Sequence, residues 1–249
     1  MKRCFLFCVC VVVVMVVASV GSQVSGSTVA VCSDMYYASS FVDRVDSLGF
    51  TTKLWMDPAQ VNASSLEDVD VLFVHSCFAP DLAGKASVIA DWVAEGHGLI
   101  VEQPNQSGVV DILPPGLEIS VYSDSYDSVR DVQITALGQT HPITLGLTSD
   151  DLASNADKVL LTDVSPAYDI LGVQRTNPNY VALAASSFGN GRVVFHTGNT
   201  SPMSTDPGSN RYVKQMIDWA ASAPEPSTFA LLSIVGVNLL FLRKRRELH

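Results

Sequence analysis

Val69-Asp-Val-Leu-Phe-Val-His-Ser76, VDVLFVHS at positions 69–76, is the stretch that decides the fold. Val71 to Val74 is apolar at every position, so neither face of an extended segment here is left for water. It is also short and β-branched, which suits a strand buried on both faces, the signature of a parallel sheet. Such strands need crossover connections, and the flanking sequence has the spacing for them. STVAVCS (27–33) is a similar run. Between the two, Met35 to Leu48 carries Phe41, Val42, Val45 and Leu48 at helical spacing, and Gly49 ends it. TTKLWM (51–56) predicts another strand, followed by a turn or short helix at Asn62–Leu66. Beyond VDVLFVHS, Ala83 to Ala94 predicts a helix with Val88, Ile89, Trp92 and Val93 inward, and Gly96-His97-Gly98 turns into a strand at 99–103. Strands and helices in this alternation predict an α/β, doubly wound, mostly parallel sheet.

The second half is less regular. EISVYS (118–123), VRDVQITA (129–136), KVLLTDV (158–164) and YDILGVQ (168–174) read as strands, and Gln139 to Ile143 as a turn. Residues 180–199 predict a late β-hairpin joined through Gly189-Asn190-Gly191. Arg211 to Ser222 predicts a closing helix with Val213, Met216, Ile217 and Trp219 on its apolar face.

The two ends differ in kind from this body. Residues 1–23 place Lys2 and Arg3 before an apolar run from Cys4 to Ala18, then small residues, the order of a secretory signal peptide. The alternative is an uncleaved N-terminal anchor. At the other end, residues 224–249 begin Pro224-Glu225-Pro226, continue through an apolar run at 229–242, and finish with Arg243, Lys244, Arg245 and Arg246. The prolines break any helix arriving from the body. The basic cluster would hold the far end of a transmembrane helix on the cytoplasmic side. The chain has 15 basic and 25 acidic residues. Lys2 and Arg3 belong to the leader, and four basic and two acidic residues to the tail. The body, 27–222, therefore keeps nine basic and 23 acidic residues, a net charge of −14. Such a body repels nucleic acid and anionic lipid surfaces.

Pro224-Glu225-Pro226, the apolar run and Arg243 to Arg246, in that order, resemble a PEP-CTERM sorting signal. The resemblance implies export across the inner membrane of a bacterium and transient anchoring there. It further implies recognition by an exosortase-type processing enzyme that cuts near Pro-Glu-Pro, then release to the cell surface or medium, in the company of extracellular polysaccharide. The alternative is an ordinary C-terminal transmembrane anchor. Two stretches of the body carry a second resemblance. Asp91 to Val101 (DWVAEGHGLIV) resembles the helix-to-strand join of class I glutamine-amidotransferase-like domains. Gly189 to Phe195, with Ile217 to Ala221 and Thr140-His-Pro-Ile143, resembles ThuA-like members. This implies a flavodoxin-like fold with sheet order 2-1-3-4-5, so that strand 27–33 lies between the other two early strands.

The same resemblance implies a cysteine nucleophile on a tight turn after strand 99–103, with a histidine base and an orienting carboxylate. Here that strand runs into Glu102-Gln103-Pro104-Asn105, without cysteine, and His196 is followed by Thr-Gly-Asn, without the carboxylate. No catalytic residue is assigned. His75, Cys77, Glu102 and His196 all fall near C-terminal strand ends, where such sheets bind ligands, and form the candidate crevice. They lack HExxH or CxxC spacing, so no metal and no cofactor is assigned; hydrogen-bonded structural roles are the simpler account. Asp34, Asp124, Asp127, Asp150 and Asp151 lack the loop spacing of a calcium site. Tyr36, Tyr37, Phe78, Tyr122 and Tyr126 suit either a sugar-binding cleft or ordinary packing. Once the leader is gone, Cys32 and Cys77 are the remaining cysteines. On neighbouring strand ends they could form a disulfide, unless strand alternation points them to opposite faces. The sequence thus favours an exported, non-catalytic amidotransferase-like domain with a structural or binding role. The alternative is an enzyme acting on a carbohydrate or small molecule at the strand-end crevice.

Overall fold

A computed structural model of the chain describes residues 26–33, 38–75, 80–102, 109–123, 132–153, 159–197 and 206–222. The expected signal peptide, the Pro-Glu-Pro tail and the 229–242 segment lie outside the described residues. Among those residues no helix is long and apolar enough to cross a membrane.

The apolar runs form the parallel strands β1 (Thr28–Cys32), β2 (Thr51–Trp55), β3 (Val71–His75) and β4 (Gly98–Glu102). Strand β1 pairs in parallel with β2 and β3, and β3 with β4, so the first strand lies between the next two as expected. The second half supplies β5 (Ser120–Ser123), β6 (Val132–Ile134), β7 (Val159–Thr162), β8 (Asp169–Gln174), β9 (Val181–Phe188) and β10 (Gly191–His196). Strands β9 and β10 form the predicted hairpin, turning through Gly189 at φ +59°. Strand β10 returns parallel to β4 and completes the order 2-1-3-4-10, with the late strand in fifth place. Beyond it β9, β7 and β5 extend the sheet antiparallel, and β6 and β8 pair alongside. The ten-stranded sheet is therefore mixed: a parallel, flavodoxin-like half and an antiparallel half.

Alternation along the strands divides the core into two layers. Val29, Val31, Val71, Phe73, Ile100 and Val194 face helices α1 (Ala38–Ser47) and α5 (Pro207–Ala221), meeting Phe41, Val45, Val213, Met216 and Ile217. Ala30, Leu72, Val74, Leu99, Val101 and Phe195 face the other way. They pack on Leu66 of α2 (Ala63–Leu66) and on Ile89, Trp92 and Val93 of α3 (Ala86–Ala94). A further short helix, α4 (Ser149–Ala153), packs near β6. Each fully buried Leu, Ile or Phe contributes about 1.5–3 kcal/mol, so the two layers together provide most of the drive to fold.

Helix α5 begins four residues earlier than its apolar spacing predicts. Asp206 caps it, its carboxylate accepting from the Ser209 N–H at 2.9 Å, and Pro207 occupies the first turn, where a missing N–H costs nothing. At its far end α5 lies so close to β4 that a Cβ on Gly98 would stand 2.6 Å from the Ala220 carbonyl oxygen. We expect Gly98→Ala to force helix and sheet apart and to cost roughly 1–3 kcal/mol. Urea unfolding of residues 27–222 measures it, and a midpoint unchanged from wild type would contradict this close approach.

Candidate functional site

The last residues of three adjacent parallel strands form one row. His75 ends β3, Glu102 ends β4 and His196 ends β10, and the register pairs Glu102 with both histidines. Paired strands run about 4.8 Å apart, so side chains pointing to the same face at one level must touch. All three point toward α1 and α5, in step with Phe73, Ile100 and Val194. Nε2 of His75 stands 3.1 Å from one Glu102 carboxylate oxygen, and Nε2 of His196 3.5 Å from the other. The row is enclosed: His75 is 5 % exposed, Glu102 and His196 0 %.

The helices complete the enclosure. Tyr212 of α5 meets the His196 ring edge-on, with centroids 5.9 Å apart, and Phe73 lies 6.2 Å away on the strand side. Burial, and then the Glu102 charge, push the Tyr212 phenol far above its ordinary range, so it stays protonated. Arg44 projects from α1 as a buried cation. Its Nε donates to Asn210 Oδ1 at 2.8 Å and its Nη2 to Ser209 Oγ at 2.5 Å, both on α5. Burial lowers the Arg44 pKa, while the charges of Glu102 and Asp206 oppose that shift. For His196, desolvation lowers the pKa to about 4, against the pull of Glu102 and with a small push from His75. The imidazole is therefore neutral near pH 7.

Three of the four crevice residues predicted from sequence thus come together, and Cys77 lies outside the described residues. Cys32 is a buried, free thiol on the opposite face, among Ala30, Trp55 and Val74, and its burial raises its pKa. A thiol held protonated in this way is no nucleophile. Tyr36, Tyr37, Phe78 and Tyr126, with Asp34, Asp124 and Asp127, lie outside the described residues, while Tyr122 falls on β5 at the far end of the sheet. Asp151 accepts from the backbone and hydroxyl of Thr148 at 2.7 and 2.8 Å, a local turn. Among the described residues no group of three His, Cys, Asp or Glu is arranged to hold a metal ion. Sequence reasoning missed Arg44 and Tyr212. The signal for Arg44 was available: it sits between Phe41 and Val45 on the apolar stripe of α1, where a solvated arginine has no place. A separate groove of about 350 Å³ lies on the outer side of α2 and α3, floored by Trp92 stacked on His97 at 4.6 Å.

No protein-family model matches the chain, and no curated protein matches it. Solved structures do. The mmIFT52 N-terminal domain aligns at TM-score 0.55 and 12% identity, over 79% of this chain and 98% of that one. A putative GMP synthase component from Thermoplasma acidophilum aligns at TM-score 0.54 and 11% identity, over 78% and 94%. A putative ThuA-like protein from Bacteroides uniformis aligns at TM-score 0.49 and 10% identity, over 78% and 90%, a score too low to carry weight. At these identities the likeness is one of fold: the body is a flavodoxin-like α/β domain, as the amidotransferase resemblance implied.

The buried row makes stability depend on pH. Above about pH 6.5 His196 is neutral whether the chain is folded or not. Below that the unfolded chain binds a proton that the folded chain refuses until about pH 4. Stability is therefore full above the unfolded value and falls as pH drops through this window, by roughly 3 kcal/mol at about 1.36 kcal/mol per unit. Urea midpoints of residues 27–222 at pH 7 and pH 4.5 should show the fall, and His196→Gln should flatten it. An equally steep slope in the variant would exclude His196 as its source.

Proposed function

We propose that this protein is an exported, non-catalytic amidotransferase-like domain, sorted by a PEP-CTERM tail, with a structural or binding role at the cell surface alongside extracellular polysaccharide. The observation that carries the non-catalytic part is the enclosure of Glu102. An amidotransferase-type site needs a nucleophile standing free at the end of this strand, with a histidine beside it. Here strand β4 ends in a carboxyl group instead, 0 % exposed, with an imidazole nitrogen 3.1 Å from one of its oxygens and another 3.5 Å from the other. The histidine on β10, which would be the base, is directed at that carboxylate and is 0 % exposed. Convergence of His75, Glu102 and His196 would also suit an enzyme; their burial favours the scaffold.

The purified body should release no ammonia from glutamine above the buffer rate, and Cys77→Ala should change nothing. Hydrolysis abolished by Cys77→Ala would overturn the reading. A panel of glycans tested for binding to the same material would identify the ligand class.

The sorting part rests on the sequence of the tail. In the native host the mature protein should end near Pro226 and be found outside the inner membrane. Replacing Pro224, Glu225 and Pro226 with alanine should leave a larger, membrane-retained form on immunoblots of cell fractions. Full-length chain as the stable wild-type species, in cells that hold the processing enzyme, would sink the proposal.

A further inference from the structure

The chain enters and leaves the body at the same edge of the sheet. On the entry side, the Ser27 carbonyl accepts from the Thr51 N–H at 3.0 Å, and the Thr28 N–H donates to the Asp70 carboxylate at 2.8 Å. Gly26 and Ser27 therefore sit beside the first residues of β2 and β3. On the exit side, Nη1 of Arg192 donates to the Trp219 carbonyl at 2.7 Å and to the Ser222 hydroxyl at 2.5 Å. Arg192 is the register partner of Gly98, the first residue of β4, against which Ala220 packs. Entry and exit thus both lie at the N-terminal ends of the parallel strands. The His75–Glu102–His196 row closes the opposite edge, four residues further along each strand, or about 13 Å.

We propose that the entry-and-exit edge is the lipid-facing surface of the anchored protein, and that the edge carrying His75, Glu102 and His196 is turned away from the bilayer. This rests on the reading of the tail as a membrane-held sorting signal. Six residues, Ala223 to Thr228, separate Ser222, which caps α5, from the apolar run at Phe229. Fully extended they reach at most about 22 Å. Until the leader is removed, the other end of the body is tethered too, through the few residues before Gly26. Two short tethers on one edge fix which edge meets the lipid; tethers on opposite edges could not both be satisfied without laying the sheet flat. The face then offered to an extracellular partner is the C-terminal strand edge, together with the outer sides of the helices.

Photocrosslinking to lipid tests this in the full chain with Pro224, Glu225 and Pro226 replaced by alanine, so that it stays anchored. Benzoylphenylalanine is placed at Asn190, in the β9–β10 turn at the entry edge, or at Met56, just past β2 at the opposite edge; both positions are exposed. Asp68 and Ala59 form a second exposed pair with the same polarity, should either first substitution impair folding. In membranes of the native host, lipid adducts should be severalfold more abundant at Asn190 than at Met56, and at Asp68 than at Ala59. Equal or reversed yields in a chain that resists alkaline carbonate extraction would overturn the orientation and leave the tail reading standing. Release of the chain by carbonate would overturn the tail reading, and this inference with it.

Discussion

The burial of Glu102 is the constraint on which the rest of the structure depends. A carboxyl group at 0 % exposure has lost its water, and ionising it there costs several kcal/mol unless the protein replaces the hydration. Here four elements surround it. Strands β3 and β10 each place an imidazole nitrogen near one of its oxygens, at 3.1 and 3.5 Å, and α1 brings Arg44, whose pKa Glu102 raises against the effect of burial. Arg44 is itself buried and is held by Ser209 and Asn210 of α5, the helix that also supplies Tyr212. One buried cluster around Glu102 therefore links three central strands to both helices on that face. It also fixes the register, since a slip of one residue in any of the three strands would turn its member of the row to the other face. Removing one partner would leave an ion in the core uncompensated, which is far more damaging than the net worth of the pair would suggest.

The same enclosure bears on chemistry. In an open parallel sheet the C-terminal strand ends are where reactive groups meet a ligand, because the loops there can be shaped without disturbing the strands. This chain closes that position with side chains. The imidazole on β10 has one edge toward a carboxylate and its ring against Phe73 and Tyr212. Its pKa of about 4 leaves it a weak base near neutrality. At the other ends of the strands, close approaches of backbone take over. Gly98 lets α5 meet β4, and Gly191, between Val93 and His97, lets the hairpin meet the end of α3. The Asn190 and Arg192 amides donate there to the carbonyls of Ala94 and His97. The parallel half of the sheet is thus locked at both edges.

Most of the parallel half was legible because burial on both faces leaves a compositional mark: VDVLFVHS and STVAVCS have no polar side to present. The hairpin was legible from Gly189-Asn190-Gly191. The start of α5 was not, since the apolar stripe begins only at Tyr212 while the capping residues Asp206 and Pro207 lie before it; the cap, not the stripe, sets the boundary. The position of β10 inside the parallel half, beyond the break in chain order, follows from pairing between segments some ninety residues apart, and only the family resemblance indicated it. Of the site, the titratable residues at strand ends were visible as a set because strand ends were. Whether they would meet or stay apart depended on register and on the face each presents. Arg44 went unnoticed for a different reason. It occupies a core position in a helix read for its apolar residues, and its partners Ser209 and Asn210 lie some 165 residues further on.

The acidity of the body narrows what the proposed surface role could involve. With 23 acidic and nine basic residues in 27–222, and Arg44 and Arg192 already engaged inside the fold, little positive charge remains for an anionic partner. Lys53 and Lys214 are taken up by Asp68 and Asp218, at 2.5 and 2.8 Å. An anionic polysaccharide approaching such a surface is repelled over roughly a Debye length, about 8 Å at physiological salt, before any contact can form. A neutral polysaccharide meets no such barrier, and one bearing amines is drawn in. A surface with this charge favours neutral or cationic polymers over uronic or sulfated ones.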